Sequence, residues 1–307
     1  MNVMLIGGAG FIGSHIIEQL EDVNRIVVYD NFCRGSMDNI SKECEVMHSD
    51  ILHTDVLNDA MKDMDVVIHL AALWLLHCHE YPESAFDVNI RGTFNVLNAC
   101  VKNDVKKLIY SSSASVYGDA LNEPMNENHP YNNETFYGAS KIAGEHMLKA
   151  FHYKYGLNYT GLRYFNVYGP RQDYKGAYVA VMMKVIDNIL KGISPVVYGD
   201  GNQAYDFIHV CDIARANICA IENDNNNFYN VCTGKKTSIK KLTEIILKIM
   251  DSDLSIEYKD VDGETFVTNR VGDSSKAKNE LGFEYSIDIK EGMKDLIEWR
   301  MVENEKN

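Results

Sequence analysis

The sequence predicts an α/β protein built on a parallel sheet that helices cover on both faces. Short runs of almost continuously apolar residues alternate with helical patterns through the first half of the chain. Near-continuous apolar strands separated by helices are typical of parallel sheets, because such strands are buried on both faces. The composition agrees with a packed globular core, since 46% of the 307 residues are hydrophobic and 24% are charged.

The individual elements follow from these patterns in chain order. The first half is predicted to contain strands at 3–6, 25–30, 45–48, 65–70 and 107–110, and helices at 11–20, 55–61 and 84–102. The last of these strands is expected to open into a serine-rich loop. The second half is less regular, with helices predicted at 177–190, from 210, at 239–250 and near 296–299. We therefore predict a doubly wound sheet domain over residues 1–165, rejoined by a return segment near 206–232, and a smaller C-terminal α/β lobe over residues 166–307.

The charge balance argues against some classes of partner. Thirty Lys and Arg against forty-four Asp and Glu give a formal charge of -14, whereas nucleic acid and anionic membranes require clustered cations. The N-terminus lacks the features of a signal peptide, and no apolar stretch approaches the roughly 20 residues that span a bilayer. The seven cysteines are odd in number and form no C-x-x-C, so reduced thiols are expected. We predict a soluble, cytoplasmic protein that binds neither nucleic acid nor membrane.

One short stretch invites a metal interpretation. His77, Cys78 and His79 are consecutive residues that we expect in a loop, and zinc ligands do not ordinarily have this spacing. We therefore predict no metal site.

A glycine-rich turn separates the first strand from the first helix. Gly7, Gly10 and Gly13 follow a G-x-x-G-x-x-G spacing. Glycines permit a tight turn and a close approach of the backbone to a pyrophosphate, and the helix N-terminus offers free N–H groups and a partial positive charge. The turn by itself is a weak signal, because glycines often serve only tight packing.

An acid at the end of the second strand strengthens the interpretation. Asp30 lies twenty residues after Gly10, where a carboxylate can accept hydrogen bonds from an adenosine ribose and disfavours a 2′-phosphate. A Rossmann-type dinucleotide site that prefers NAD over NADP is therefore predicted, although Arg34 is close in sequence. Asp50 and Ile51, after the third strand, either contact the adenine edge or form only a turn.

Two elements in the middle of the chain fit together chemically. The serine run 111–113 leaves the carboxyl end of a strand, where ligands gather in open α/β sheets. Tyr137 and Lys141 are four residues apart and so share one helix face. A tyrosine with a pKa near 10 is a poor base at neutral pH, but a neighbouring lysine and a positive nicotinamide can lower that pKa. Each motif is weak by itself, and the combination is much stronger.

At this point the chain resembles the extended short-chain dehydrogenase/reductase family, in its NAD-dependent nucleotide-sugar epimerase/dehydratase branch. The matching stretches cover essentially the whole chain and include "GGAGFIG", "YDNFCRG", "VIHLAA", "NIRGTFNVLNAC", "SSSASVYG", "YGASKIAGE", "RYFNVYGPRQ" and "VYGDG". "SSSASVYG" looks most like the UDP-glucose 4-epimerase group. The resemblance implies that the sheet domain binds NAD and that the later lobe binds a nucleotide-diphosphate sugar.

The resemblance also implies residue roles. Tyr137 would be the catalytic acid/base, Lys141 its partner and Ser113 the catalytic hydroxyl that also contacts substrate; Asn166 would contact the substrate diphosphate, and Asn89 would be structural. The implied cofactor set, besides Tyr137 and Lys141, comprises Gly7, Gly10, Phe11, Ile12, Gly13, Asp30, Asn31, Asp50, Ile51, Leu70, Ala71 and Ala72. Helices at about 84–102 and 137–155 would form a homodimer through a four-helix bundle.

The serine run further narrows the expected reaction. Relatives that dehydrate or decarboxylate the sugar usually carry acidic residues just after the catalytic hydroxyl, where this chain has Ala114 and Ser115. We therefore expect a nucleotide-sugar 4-epimerase. The alternative is a nucleotide-sugar 4-dehydrogenase or ketoreductase with the same catalytic residues, on a UDP- or GDP-linked sugar. A 4,6-dehydratase and a non-catalytic NAD-binding protein are less favoured.

Two departures from the family concern the substrate diphosphate. Tyr205 stands where most relatives carry an arginine, and residues 262–266 lack the second arginine that relatives often have. A bidentate arginine contact to phosphate is stronger than a phenol contact. Arg171 and Arg270 are the candidates to compensate, and the alternative is that they form ordinary ion pairs. Trp74 is expected either to line the substrate or nicotinamide pocket or to serve packing.

Overall fold

The computed structural model of the protein describes residues 1–174, 180–260 and 267–306. Its strands, in chain order, are β1 Asn2–Ile6, β2 Arg25–Asp30, β3 Glu45–His48, β4 Val66–His69, β5 Lys107–Ser113, β6 Asn158–Tyr164, β7 Asn166–Tyr168, β8 Val196–Tyr198, β9 Ala204–Tyr205, β10 Phe207–His209, β11 Asn227–Val231, β12 Thr237–Ser238, β13 Glu257–Lys259 and β14 Asn269–Arg270. Seven of them form one parallel sheet in the order β11-β6-β5-β4-β1-β2-β3. The chain winds outward in both directions from β1 and β4, so the predicted doubly wound sheet is confirmed.

Helices cover both faces of this sheet. They are α1 Phe11–Gln19, α2 Thr54–Ala60, α3 Leu75–Glu80, α4 Pro82–Ser84, α5 Thr93–Lys102, α6 Phe136–Tyr155, α7 Val181–Leu190, α8 Val210–Ile221, α9 Ile239–Ile249 and α10 Ile289–Glu305. Short 3₁₀ turns lie at Met37–Asn39 and Ala114–Val116, and π-helical segments at Ala85–Gly92 and Ala277–Leu281.

The alternation of side chains along β1 explains the two layers. Val3 and Leu5 point into an apolar core shared with α1 and α8, whereas Met4 and Ile6 point into a second core shared with α2, α5 and α6. Successive residues of a strand face opposite sides of the sheet, so a continuous apolar run is what a strand buried on both faces requires.

The serine run differs in structure from the prediction, although the early strands lie where the sequence places them. Ser111, Ser112 and Ser113 were expected in a loop, and they are the last three residues of β5. They pair in parallel register with Leu162, Arg163 and Tyr164 of β6. Pairing with a neighbouring strand outweighed the turn-forming tendency of serine, so the serines sit rigidly at the carboxyl edge of the sheet.

A helix at Leu75–Glu80 is a second difference. This stretch was expected as a loop, and it forms α3, with the Cys78 side chain fully buried. The predicted helix at 84–102 is continuous but composite, because a π-helical segment joins α4 to α5. Of the helix predicted at 177–190, residues 181–190 are helical and 177–179 lie outside the described residues.

The second half of the chain both rejoins the sheet and builds a separate core. β11 pairs with β6, from Asn227 opposite Thr160 to Val231 opposite Tyr164. The helices α7, α9 and α10 enclose a further apolar core that includes Ile186, Ile246 and Leu296. β9 lies between β12 and β14 in a small sheet of its own. No helix in the described ranges is both long and apolar enough to cross a membrane.

Candidate active site

A cavity of about 1100 Å³ opens at the carboxyl edge of the sheet, around the ends of β1, β2 and β4. This is the place where open α/β sheets bind ligands. The residues that the resemblance assigned to the cofactor, other than Tyr137 and Lys141, all line it: Gly7, Gly10, Phe11, Ile12, Gly13, Asp30, Asn31, Asp50, Ile51, Leu70, Ala71 and Ala72. Tertiary structure thus brings together residues from four separate strand ends.

The glycine turn has the geometry that its sequence predicts. Gly7 has a left-handed φ of 83° and donates its N–H to the Tyr29 carbonyl at 2.8 Å. A Cβ on Gly7 would lie 2.7 Å from the Ala71 nitrogen, and a Cβ on Gly13 would lie 2.6 Å from the Gly8 Cα. α1 starts after Gly10 with no side-chain cap, so the first N–H groups of this helix are available to an anion. The turn therefore fits a pyrophosphate.

Asp30 occupies the end of β2 at the wall of the cavity. Its carboxylate is 7% exposed and accepts hydrogen bonds from the Ala9 N–H at 3.0 Å and the Phe32 N–H at 2.8 Å. Burial raises its pKa above the ordinary value, an effect that these two bonds oppose. The backbone thus holds both carboxylate oxygens in place. Acceptors fixed in this way fit a contact to ribose hydroxyls. NAD fits this set of residues.

Asp50 and Asn31 form the neighbouring part of the wall. The Asn31 amide donates to one oxygen of Asp50 at 2.7 Å, and the Leu52 N–H donates to the other at 2.9 Å. Asp50 therefore closes a turn and also lines the cavity, so the two interpretations of Asp50 are compatible.

Arg34 is close enough to Asp30 in sequence to raise the question of whether the site prefers NADP. Its guanidinium has other contacts in the structure. Its guanidinium forms an ion pair with Asp173 at 2.6 Å and lies 4.2 Å from the ring centre of Trp74. Trp74 also lies against His77, with ring centres 4.9 Å apart. It is not among the residues that line the large cavity, and its indole nitrogen is buried without a hydrogen-bond partner in the described part of the chain. The contacts with Arg34 and His77 are packing contacts, and a substrate contact of Trp74 stays a prediction.

Ser113, Tyr137 and Lys141 come together beside the cavity. Ser113 ends β5, and its side chain lies near enough to Tyr137, in the first turn of α6, to lower the pKa of the phenol. Lys141 follows one turn later and donates to the Ser111 carbonyl at 2.7 Å, with its Nζ 5.6 Å from the Tyr137 ring centre. Thr135 begins the helix by accepting the Gly138 N–H at 3.0 Å.

Burial dominates the electrostatics of this group. Burial raises the pKa of Tyr137 to about 12, against the opposing effects of the Ser113 hydrogen bond and the Arg270 charge. Burial also lowers the pKa of Lys141 to about 8. The Lys141 ammonium donates to the Ser111 carbonyl, and desolvation of the phenol dominates the Tyr137 pKa. That Lys141 and a positive nicotinamide together lower this pKa stays a prediction.

Asn89 supports the same group from behind. It accepts the Leu73 N–H at 2.8 Å and donates to the Ser140 hydroxyl at 3.1 Å, which in turn donates to the Tyr137 carbonyl at 2.7 Å. The residue thus ties the segment after β4 to α6, which agrees with the structural role that the resemblance implied. Cys78 is buried behind the same group, with its thiol sulfur 3.5 Å from the Asn89 amide nitrogen; sequence reasoning missed it because α3 was not predicted.

A second cavity of about 210 Å³ lies beside the catalytic group and is lined by Ser115, Gly118, Thr135 and Arg270, among others. The Arg270 guanidinium contacts the Gly118 carbonyl at 3.3 and 3.4 Å. Burial lowers its pKa to about 10. Within the described ranges no carboxylate lies within 4.0 Å of it.

Tyr205 lies directly opposite Arg270 on the neighbouring strand. β9 and β14 pair in parallel with Tyr205 opposite Arg270, and the Tyr205 hydroxyl donates to the Val267 carbonyl at 2.7 Å. Residues paired in this way project on the same face of a sheet. A guanidinium is therefore present next to the position where relatives carry arginine, although it comes from the neighbouring strand. Residues 262–266 lie outside the described residues.

Arg171 is placed differently from the expectation. It donates to both oxygens of Glu18, at 2.9 and 2.7 Å, and contacts His15 at 2.9 Å. It lines the large cavity together with the glycine turn. Because these donors are used by α1, the position of Arg171 favours the ion-pair alternative over its predicted contact with the substrate diphosphate.

Asn166 is the remaining predicted substrate residue. It lies on β7, with its backbone N–H donating to the Asp206 carbonyl at 3.0 Å. Its side-chain oxygen is buried with no hydrogen-bond partner in the described part of the protein. A buried acceptor without a partner is unfavourable unless a ligand supplies the donor.

The stretch from His77 to His79, for which we predicted no metal site, lies in α3. His77 and Cys78 are successive positions of a helix, and Cys78 faces inward while His77 contacts Trp74 and Tyr81. Among the residues that the structure describes, no group of three or more His, Cys, Asp or Glu side chains could hold a metal ion.

Comparison with known proteins places this geometry in a family. Residues 3–232 match the model of the NAD dependent epimerase/dehydratase family. A putative UDP-glucose 4-epimerase of Methanocaldococcus jannaschii is 39% identical over 98% of this chain and 99% of its own length.

Two solved structures are similar along nearly their whole length. The UDP-N-acetylglucosamine 4-epimerase of Methanobrevibacter ruminantium M1, in complex with UDP-N-acetylmuramic acid, is 39% identical with a TM-score of 0.94 and covers 98% of each chain. The UDP-glucose 4-epimerase of Thermotoga maritima with UDP-glucose is 32% identical with a TM-score of 0.95, covering 99% of this chain and 100% of its own. The glycine turn, Asp30 and the Ser113–Tyr137–Lys141 group therefore belong to a protein of the NAD-dependent epimerase/dehydratase family.

Proposed function

We propose that this protein is an NAD-dependent 4-epimerase that acts on a uridine-diphosphate-linked sugar. The observation that carries the proposal is the meeting of Ser113, Tyr137 and Lys141 beside the cavity that fits NAD. The proposal of a uridine nucleotide is supported by the relatives, since the proteins from M. jannaschii, M. ruminantium and T. maritima are named for UDP-sugars.

The residues themselves can perform the proton transfers of this reaction. The Tyr137 phenol oxygen takes the proton of the sugar C4 hydroxyl and later returns it, while the Ser113 hydroxyl, which lies near that phenol, holds the substrate oxygen in line. Lys141 supplies a fixed positive charge on the same helix face. Bound NAD would supply the hydride acceptor for C4 and, once the keto sugar has turned over, the hydride donor to its opposite face.

Elimination and decarboxylation are disfavoured by the two residues after Ser113. Ala114 is 1% exposed and carries no polar group, and Ser115 is 9% exposed and donates its backbone N–H to the Ser113 hydroxyl at 3.1 Å. Neither residue supplies the additional carboxylate that those reactions use. Chemistry that needs only Tyr137, Ser113 and NAD is therefore favoured.

Arg270, rather than Arg171, is proposed to bind the substrate diphosphate. It lies next to Tyr205, near Tyr137, and in the described ranges it lacks a carboxylate partner within 4.0 Å. Asn166 on β7 is proposed to help through the N–H groups of its side-chain amide, since phosphate oxygens accept hydrogen bonds. We likewise propose that residues 1–165 with the return segment near 206–232 form the NAD domain, and that residues 166–307 form mainly the substrate lobe.

A homodimer that works in the cytoplasm completes the proposal. Phe86, Phe94, Tyr153 and Tyr155, on the π-helical segment, α5 and α6, are large apolar or aromatic side chains that are 47% to 94% exposed. Phe94 packs edge-to-face on Phe151, so the exposed groups belong to adjacent helices. An apolar helical face of this kind supports a four-helix interface. The cysteines are all unpaired, in keeping with a reducing compartment.

The proposed reaction is tested by incubating the purified protein with UDP-, GDP-, dTDP- and CDP-sugars. Products are followed by ¹H NMR and NADH by its absorbance. Inversion at C4 without net NADH supports the epimerase. Accumulation of a keto sugar or of NADH would instead identify the dehydrogenase or ketoreductase.

A further inference from the structure

Three consecutive residues of β5 contact three residues of α6 that are four apart. Ser113 lies near Tyr137 and lowers the pKa of its phenol, the Ser111 carbonyl accepts from Lys141 at 2.7 Å, and the Ser112 hydroxyl donates to Glu145 at 2.6 Å. Residues at this spacing lie on one face of a helix. Two of these contacts involve the proposed catalytic residues, and the third, between Ser112 and Glu145, has no part in the chemistry described above.

The Glu145 carboxylate is buried and fully bonded. Arg163 donates to both of its oxygens, from Nε at 2.8 Å and from Nη2 at 2.7 Å, and the Tyr131 hydroxyl adds a bond at 2.9 Å. The side chains of Arg163 and Glu145 are 3% and 0% exposed. Ion pairs with this bidentate geometry are directional as well as strong, so the pair fixes orientation and not only proximity.

Arg163 connects the same carboxylate to the strand that carries the serines. It lies on β6 directly opposite Ser112 of β5. Glu145 is therefore attached to two neighbouring strands at the same level, which prevents α6 from sliding along the sheet. A slide of α6 would change the distance between Ser113 and Tyr137, because one is on the strand and the other on the helix.

Arg163 also fixes the far end of the loop that comes after Ser113. Its Nη1 donates to the Tyr117 hydroxyl at 2.6 Å, and that hydroxyl donates to Asn230 of β11 at 2.7 Å. Ser113 is thus held from both sides, through Ser112 before it and through Tyr117 after it.

We propose that Glu145, with Ser112 and Arg163, is a positioning group that sets the alignment of Ser113, Tyr137 and Lys141. The inference rests on the proposed function, since it assigns these residues to the geometry of that reaction. The negative charge of Glu145 also acts on Lys141 directly. It raises the pKa of Lys141, which favours the charged ammonium and so opposes the effect of burial. None of the three residues lines the NAD cavity, so their loss acts on alignment and not on cofactor binding.

A matched pair of serine variants separates positioning from stability. Ser112→Ala removes a hydroxyl that donates to a buried carboxylate paired with arginine. Ser286→Ala removes the same kind of bond, since Ser286 donates at 3.0 Å to Asp212, which is fully buried and pairs with Arg215 at 2.7 Å. We expect Ser112→Ala to lower kcat about tenfold or more, as misalignment of reacting groups does, with KM and bound NAD within about twofold. Ser286→Ala is expected to keep kcat within about twofold, with a smaller loss of Tm because Ser286 is exposed and Ser112 is buried.

A second pair tests the other side of the carboxylate. Tyr131→Phe removes a phenol that donates to Glu145, and Tyr229→Phe removes one that donates to Glu280 at 2.8 Å. The first should lower kcat and the second should not. Equal effects on kcat within each pair would overturn the proposal, because a purely structural role lowers stability in all four variants.

A spectroscopic measurement keeps this test separate from the proposed reaction. The ionisation of Tyr137 is followed by tyrosinate absorbance as the difference between each protein and its Tyr137→Phe counterpart. We expect Ser112→Ala to shift this titration and Ser286→Ala to leave it unchanged. If the wild-type protein proves inactive on every nucleotide sugar, the proposed function fails, while an unshifted titration in Ser112→Ala overturns the positioning role by itself.

Discussion

Lys141 donates to the carbonyl oxygen of Ser111 at 2.7 Å, and this bond directs its ammonium to the strand and not to the phenol of Tyr137. The lysine is 3% exposed, and its burial lowers its pKa to about 8. Tyr137 keeps a pKa raised to about 12 in these surroundings. A positive group that approaches the phenol when cofactor and substrate bind is therefore needed to make Tyr137 a base at neutral pH.

Removing the phenol oxygen should stop the reaction. Tyr137→Phe leaves the ring in place and is expected to reduce kcat by at least about 10³-fold, because the proton of the C4 hydroxyl has no acceptor. NAD content and Tm should match the wild type. The assay is C4 inversion by NMR with NAD measured after denaturation, and substantial residual turnover would refute the assigned role.

Asp30 should determine the preference for NAD. Asp30→Asn keeps the size of the side chain but removes the charge and one acceptor, so we expect NAD affinity to fall about tenfold, by the worth of one charge-assisted hydrogen bond. The ratio of NAD to NADP affinity should fall as well, since the carboxylate no longer repels a 2′-phosphate. Calorimetric titration with both cofactors measures this ratio, and an unchanged ratio would contradict the assignment.

The two arginines should behave differently. Arg270→Met is expected to weaken binding of a UDP-sugar about 10- to 100-fold, which is the usual cost of losing a charged contact to phosphate. Arg171→Met should change that affinity by less than about threefold, because Arg171 is bonded to Glu18. Titration of both in a Tyr137→Phe background avoids turnover, and the reverse order of effects would show that the substrate diphosphate lies at Arg171.

His209 should make stability depend on pH. Burial alone would lower its pKa, but contacts with the Asp295 carboxylate 3.2 Å away and with Cys211 raise it to about 9. A raised folded-state pKa stabilises the protein fully below the ordinary value of 6.5, and this contribution is lost as pH rises to about 9.

Asp295→Asn is the corresponding variant. Because Asp295 is half exposed, we expect a loss of only about 1–2 kcal/mol at pH 6, and a smaller loss at pH 9.5. Glu298→Gln, an exposed carboxylate on the same helix, is the control. The measurement is thermal unfolding of the three proteins at both pH values, and a pH-independent difference would count against the ion pair.

The exposed aromatic face should carry the subunit contact. Phe94→Glu places a charge where an apolar helix face would be buried and is expected to convert the dimer to a monomer. Met301→Glu changes a side chain of similar exposure on α10 and should leave the dimer intact. Light scattering after gel filtration gives the mass of each. A wild-type monomer would contradict the proposed interface.

The residues that the sequence predicts best are those whose geometry depends on residues close to them in the chain. Gly7 must turn between a strand and a helix, and Asp30 must end the next strand, so both can be located from spacing alone. Tyr137 and Lys141 share a helix face because they are four residues apart. Local geometry is encoded in local sequence, and this is why the sheet domain and most of the cofactor set could be placed in advance.

The remaining features depend on contacts between distant parts of the chain. Tyr205 and Arg270 are far apart in sequence, and only the pairing of β9 with β14 brings them side by side. Arg171 was equally plausible from sequence, and only the structure shows its ion pair with Glu18 of α1.

The sequence by itself determined the fold class, the glycine turn and the candidate catalytic residues of this protein. Tertiary structure alone decided that Arg270 lies near Tyr137 while Arg171 pairs with α1, and that burial governs the pKa values of Tyr137 and Lys141. It also decided that the serine run belongs to a strand held by Glu145 and Arg163. The physical reason is that desolvation and side-chain pairing arise from three-dimensional packing, which no periodicity or spacing along one chain records.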